Sequence, residues 1–96
     1  MVQNRKLTAQ KASKLLKSLS NPHRLMILCL LDEGEFSVTE LLSHLPISQT
    51  ALSQHLARLR IEKIVTYRRD HRTLYYRIIN PDAKKVIATL HKIYCK

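Results

Sequence analysis

The chain has one glycine, Gly34, and three prolines, Pro22, Pro46 and Pro81. With so few breakers, each one marks an element boundary and the stretches between them must be continuous elements. Before Pro22, Leu7, Ala12, Leu15, Leu16 and Leu19 recur at helical spacing among Lys6, Lys11, Lys14 and Lys17, which predicts an amphipathic first helix of roughly ten to fourteen residues. Asn21 is placed to cap a second helix with Pro22 in its first turn, running through HRLMILCLLDE to Gly34 in a C-cap position. The middle of that helix is apolar all round, so it is expected to be the buried central one.

After Gly34, Ser37 and Glu40 stand at capping-box spacing, so a short third helix begins at Ser37 and stops before Pro46. A tight turn leads to ISQTALSQHLARLR, with Ser48 as N-cap. Leu52, Leu56 and Leu59 form one apolar stripe of this fourth helix, and Gln49, Thr50, Ser53, Gln54 and Ala57 face elsewhere. The period then changes: IVTYRR and LYYRII are β-branched and aromatic, and the polar DHRT between them closes a hairpin without a glycine. Asn80 and Pro81 open a last helix with a stripe of Val86, Ile87, Leu90, Ile93 and Tyr94. The expectation is a mainly α chain with a small β-hairpin, organised as a single domain over residues 1–96, with no internal repeat or linker.

Ninety-six residues bury too little surface for a roomy catalytic cavity. Seventeen Lys and Arg against seven Asp and Glu give a net charge of +10, which makes nucleic acid the leading partner class. A cationic membrane-surface helix would back its charge with Trp, Phe and Leu, whereas Trp is absent here and Phe36 is alone. The N-terminal segment lacks an apolar core of signal-peptide length, and LMILCLL is too short to span a bilayer, so a cytoplasmic protein is expected, with no membrane partner. In a reducing compartment the two cysteines, Cys29 and Cys95, do not read as a structural staple.

Two short helices joined by a tight turn and followed by a basic hairpin make the winged helix-turn-helix plan. A polar helix face is by default a solvated one. In the fourth helix, however, Ser48, Gln49, Thr50, Ser53 and Gln54 supply short hydroxyl and amide groups able to bond base edges and phosphates. Arg58 and Arg60 follow where phosphates would flank a groove-bound helix. Arg68, Arg69, His71 and Arg72 concentrate at the hairpin tip, where sheet formation does not require them. Binding to double-stranded DNA therefore outweighs a merely solvated basic face.

The segments LLKSLSNPHRLMILCLL, SVTELLSHLPISQTALSQHLARLR and YRRDHRTLYYRI resemble the ArsR/SmtB family of bacterial winged-helix repressors over nearly the whole chain. The resemblance implies a homodimer built from the first and last helices, here through Leu15, Leu16, Leu19, Val86, Leu90 and Ile93. It also implies an imperfect palindromic operator that is released when an inducer binds. The wing departs from many members in having DHR in place of a glycine. Metal-sensing motifs of the family do not transfer. Where the third helix would carry paired cysteines the sequence reads FSVTE, and in the last helix Asp82 is followed by Ala83 and Lys84, while Tyr94 stands three residues after His91.

His91 and Cys95 remain as an i, i+4 pair, which is two ligands where a tetrahedral site needs four. A metal-responsive repressor using them is the alternative reading, so no metal and no cofactor is assigned. One cysteine in the central helix and one near the end of the last resembles the sulfide-responsive branch of the family. That likeness implies that reactive sulfur species such as a persulfide join Cys29 and Cys95 through a disulfide or a longer polysulfide bridge and so release DNA. Against this, a cysteine within LMILCLL is most often an inert core residue, which leaves a redox-insensitive regulator open. Cys95 sits among His91, Lys92 and Lys96, whose charge favours the thiolate.

His23 reads as a surface residue of the second helix, His44 as the end of the third, and His55 as packed rather than ligating. No nucleophile, base and orienting group stand at a spacing that suggests an enzyme. A protein-interaction module would instead show an apolar exposed patch without DNA affinity.

Overall fold

The computed structural model describes residues 5–94. Helix α1 spans Arg5–Leu19, α2 Pro22–Asp32, α3 Val38–His44, α4 Gln49–Ile61 and α5 Pro81–Tyr94; the strands are β1 Phe36–Ser37, β2 Val65–Asp70 and β3 Thr73–Ile78. The helix starts follow the capping chemistry of the sequence. Asn21 Oδ1 accepts from the His23 and Arg24 amides at 2.9 and 3.1 Å, with Pro22 in the first turn, where its missing N–H costs nothing. Ser37 and Glu40 form the reciprocal capping box, and the Ser37 amide, donating to Glu40 Oε1 at 2.8 Å, holds the Glu40 carboxyl below its ordinary pKa with help from the Ser37 side chain. Ser48 Oγ accepts from the Ala51 amide at 3.1 Å, and Asn80 Oδ1 from the Asp82 and Ala83 amides.

The C-terminal end of α4 closes in a Schellman motif: the Lys63 amide donates to the Arg60 carbonyl at 3.0 Å and the Ile64 amide to the Leu59 carbonyl at 2.9 Å. Lys63 accordingly takes φ 60°, a left-handed conformation that glycine adopts more readily, and Ile64 turns inward to the core.

The expected hairpin is one part of a three-stranded antiparallel sheet ordered β1-β3-β2. Strand β1 was not anticipated because two residues are too few to show an alternating pattern; it pairs Phe36 with Tyr76 and Ser37 with Tyr75. β2 and β3 pair from Val65 with Ile78 to Asp70 with Thr73, leaving a two-residue turn of His71 and Arg72. His71 adopts φ 57°, so this side chain takes the place of the usual glycine.

The core gathers Ile27, Leu28 and Leu31 of α2, Leu41 of α3, Leu52, Leu56 and Leu59 of α4, and Ala83 and Ile87 of α5, with Ile64, Val65 and Tyr76 from the sheet side. Burial pushes the Tyr76 hydroxyl above its ordinary pKa. Two expectations about apolar faces need correction. α2 is not buried all round: Met26 is exposed and Leu25, Cys29 and Leu30 are half-buried. Leu19, expected on the dimer stripe, is buried in the core of its own chain, because the last turn of α1 folds down onto that core. Leu16 remains exposed and Leu15 half-buried; on α5, Ile93 and Tyr94 are exposed, while Val86 and Leu90 are half-buried.

Candidate nucleic-acid interface

α4 buries Leu52, Leu56 and Leu59 and turns Gln49, Thr50, Ser53, Gln54 and Ala57 outward along one flank, all of them exposed. The heptad-like leucine spacing fixes this orientation: three buried leucines on one side leave the short polar residues no other direction. The same helix is joined to α3 through Leu45, Pro46, Ile47 and Ser48, of which Leu45 is buried and Ile47 packs against the core.

The wing stands beside α4. A cleft of about 320 Å³ is lined by Gln49 and Ser53 of α4, by Thr39 at the start of α3, and by Arg72 and Thr73 at the wing tip. Residues expected to read bases and one expected to hold phosphate therefore face a common space. Thr39 and Thr73 were missed by the sequence reading. Both are exposed hydroxyl residues brought to the cleft by chain topology, with no local pattern to mark them.

The four basic wing residues do not share one environment. Arg69, His71 and Arg72 are exposed at the end of the hairpin. Arg68 was expected with them at the tip, but it lies within β2 and its Nε donates to Glu35 Oε1 at 2.8 Å and to Oε2 at 3.1 Å. Its guanidinium also lies 4.7 Å from the centre of the Tyr75 ring, and the Glu35 hydrogen bond raises its pKa. Glu35 stands 3.9 Å from Arg77 as well. Arg58 is exposed near the end of α4, and Arg60 stacks 4.3 Å over the Tyr67 ring.

Beneath α4, His55 is half-buried and meets His23 edge-on at 6.0 Å between ring centroids. Burial lowers its pKa, and the charges of Arg24 and His23 lower it further. His44 closes α3 with its ring edge-on to Phe36. On another face, a groove of about 320 Å³ between α2, the end of α3 and α5 is lined by Cys29, Met26, Glu33, His44, Leu45 and His91 among others. Cys95 lies outside the described residues. Among the described residues no three His, Cys, Asp or Glu side chains come together closely enough to hold a metal ion.

The sequence profile of the bacterial regulatory proteins of the arsR family matches residues 21–67, which run from the α2 cap into β2. The transcriptional activator HlyU of Vibrio cholerae is 43% identical over 95 residues, covering 99% of this chain and 88% of that protein. The chain belongs to the arsR family. Among solved structures of the family, reduced HlyU from Vibrio cholerae superposes with a TM-score of 0.93 at 44% identity, covering 98% of this chain and 99% of the other. The transcriptional repressor BigR from Xylella fastidiosa gives a TM-score of 0.89 at 40% identity, covering 99% and 94%. These are winged-helix regulators of transcription, so the fold expected from the sequence holds, as a DNA-binding regulator of the arsR family. Family members act as transcription regulators rather than enzymes. No helix among the described residues is long and apolar enough to cross a membrane.

Proposed function

We propose that the chain works as a homodimeric repressor, one winged helix-turn-helix domain over residues 1–96, whose hold on DNA is broken by reactive sulfur. The observation that carries the DNA half is the shared cleft of Gln49 and Ser53 with Arg72. Ser48, Gln49, Thr50, Ser53 and Gln54 read base edges in the major groove, while Arg58, Arg69, His71 and Arg72 engage phosphates and Arg68, expected among them, is held back by Glu35. Exposed Leu16 and Ile93, with Leu15, Val86 and Leu90 partly open, give α1 and α5 apolar surface that a second copy would cover, setting two α4 helices on an imperfect palindrome. Relatives described as an activator and as a repressor share this fold.

The sulfur half rests on Cys29 and His91 lining one groove, with Cys95 four residues after His91 in the sequence. It also rests on a relative described in a reduced form. The Cys95 thiolate attacks the outer sulfur of a low-molecular-weight persulfide, taking that sulfur and releasing the parent thiol. The Cys29 thiol then attacks the inner sulfur of the new Cys95 persulfide, forming the disulfide and expelling hydrogen sulfide. Two thiols are oxidised and the transferred sulfur is reduced, so electrons balance. The bridge shifts the dimer out of its DNA-binding shape.

The test is DNA binding by fluorescence anisotropy before and after persulfide, with mass spectrometry of the product. Wild type is expected to lose affinity and gain an internal bridge, both reversed by a reductant. Cys29→Ser and Cys95→Ser are expected to bind DNA normally and not to release it. Release by both variants, or release of the wild type by zinc alone, refutes the sulfur switch and moves the metal reading on His91 and Cys95 forward.

A further inference from the structure

We propose that Glu62 is a positioning residue for DNA recognition: its carboxylate ties the C-terminal end of α4 to α1 through Ser18 and to α2 through Arg24, and so fixes the pose of α4. Glu62 is the C-cap residue of α4 and makes no contribution to the outward face of that helix. Its side chain is turned inward, 23% exposed, toward three helices at once. Ser18 of α1, itself buried, donates from Oγ to Glu62 Oε2 at 2.8 Å. Arg24 of α2 brings Nη1 to 3.9 Å from Oε1, and Arg58 of α4 brings Nε to the same distance from the same oxygen.

The carboxylate is the counter-charge of a cationic cluster. Arg24 is only 13% exposed, and among the described residues its Nε and Nη1, and Glu62 Oε1 facing them, are buried without a hydrogen-bond partner, so the link is one of charge at 3.9 Å. A guanidinium in that position depends on the nearby anion, because removing one partner of a buried pair leaves the other charge desolvated and uncompensated. Arg24 and Arg58 would then lose the anion they share, beside the contact of His23 with His55 between α2 and α4. Ser18 has the Lys14 carbonyl at 3.2 Å as a second acceptor, so losing Glu62 does not strand the hydroxyl. What is lost is the tie between α1 and α4.

The inference rests on α4 reading DNA, and it predicts an effect of opposite sign to simple electrostatics. Removing an acidic group from a DNA-binding protein should tighten binding to every duplex. Loss of a positioning residue should instead lower affinity for the preferred sequence while sparing affinity for arbitrary sequence. The experiment measures binding of wild type, Glu62→Gln, Ser18→Ala and the double variant, with circular dichroism confirming that each is folded at the assay temperature. The two probes are a duplex selected from random sequence by the wild type and a scrambled duplex of equal length.

Glu62→Gln is expected to lower the ratio of the two affinities about two- to thirty-fold. Ser18→Ala, which removes only a hydroxyl, should lower it less, and the double variant should match Glu62→Gln alone because both act through one network. An unchanged ratio, equal tightening on both duplexes or additive losses would overturn the inference. A wild type without sequence preference would overturn the reading of α4 and this inference with it, whereas a wild-type preference that survives in Glu62→Gln overturns this inference alone.

Discussion

Arg68 is held by Glu35 through two hydrogen-bond distances of 2.8 and 3.1 Å to the two carboxylate oxygens, so one of the basic residues of the wing carries its own counter-charge. Glu35→Gln should release that charge to a phosphate. The slope of log affinity against log salt is then expected to steepen by about 0.9 per subunit. An unchanged slope would mean that Arg68 never reaches the backbone.

Arg69 and Arg72 have no such counter-charge among the described residues and stand exposed at the hairpin end. Replacing either with Ala should weaken binding to all duplexes alike, with a shallower salt dependence. Gln49→Ala or Gln54→Ala should cost about 1 to 3 kcal/mol on the preferred site and relax the preference at one base pair. Competition binding with single-base operator variants separates the two patterns. If the Gln variants weaken every duplex equally, α4 does not read bases.

Leu16 is 56% exposed on α1, whereas Leu19, one turn later, is buried. Leu16→Asp therefore leaves the core intact and is expected to give a folded monomer with weak DNA binding, as is Leu90→Asp at greater cost to the core. Sedimentation velocity decides the matter: a wild-type monomer at micromolar concentration, or a dimeric Leu16→Asp, would remove α1 from the interface.

Lys63 holds φ 60° at the position after the α4 cap. A left-handed conformation costs an L-residue about 1 to 2 kcal/mol, so Lys63→Gly is expected to stabilise the protein by up to about 1 kcal/mol after the entropy of glycine is set against it. Urea unfolding measures this. A destabilised Lys63→Gly would show that the lysine side chain contributes more than the strain.

His55 is held below the ordinary histidine value of 6.5 by burial, with Arg24 and His23 adding to the effect. The unfolded chain thus binds the proton more readily than the folded one, and stability should fall as pH drops through that value. His55→Gln should flatten the pH dependence of the urea midpoint just below the ordinary histidine value. If the dependence is the same in the variant, another group carries it.

Much of this architecture was legible because capping residues and leucine spacing act locally. Asn21, Ser37, Ser48 and Asn80 each start a helix where the sequence says, and Leu52, Leu56 and Leu59 orient α4 before any tertiary contact is known. What escaped depends on distant partners. β1 exists through pairing with Tyr75 and Tyr76, Arg68 is claimed by an acid 33 residues away, and the Ser18 bond to Glu62 spans 44 residues. None leaves a mark in local periodicity. Leu19 failed for a related reason: helical spacing shows that a face is apolar and does not say whether the same subunit or another covers it.

Ser37 is both the second residue of β1, paired with Tyr75 in the sheet, and the N-cap of α3. Sheet and helix-turn-helix thus meet in one amino acid, with no joint left between them to bend. A signal that turned α3 and α4 would carry the wing along, and the DNA-facing surface of the chain would keep its shape. In the dimer proposed above, the variable left for an inducer to act upon is the span between the two halves, as with calipers whose jaws are cast in one piece and which move at the hinge.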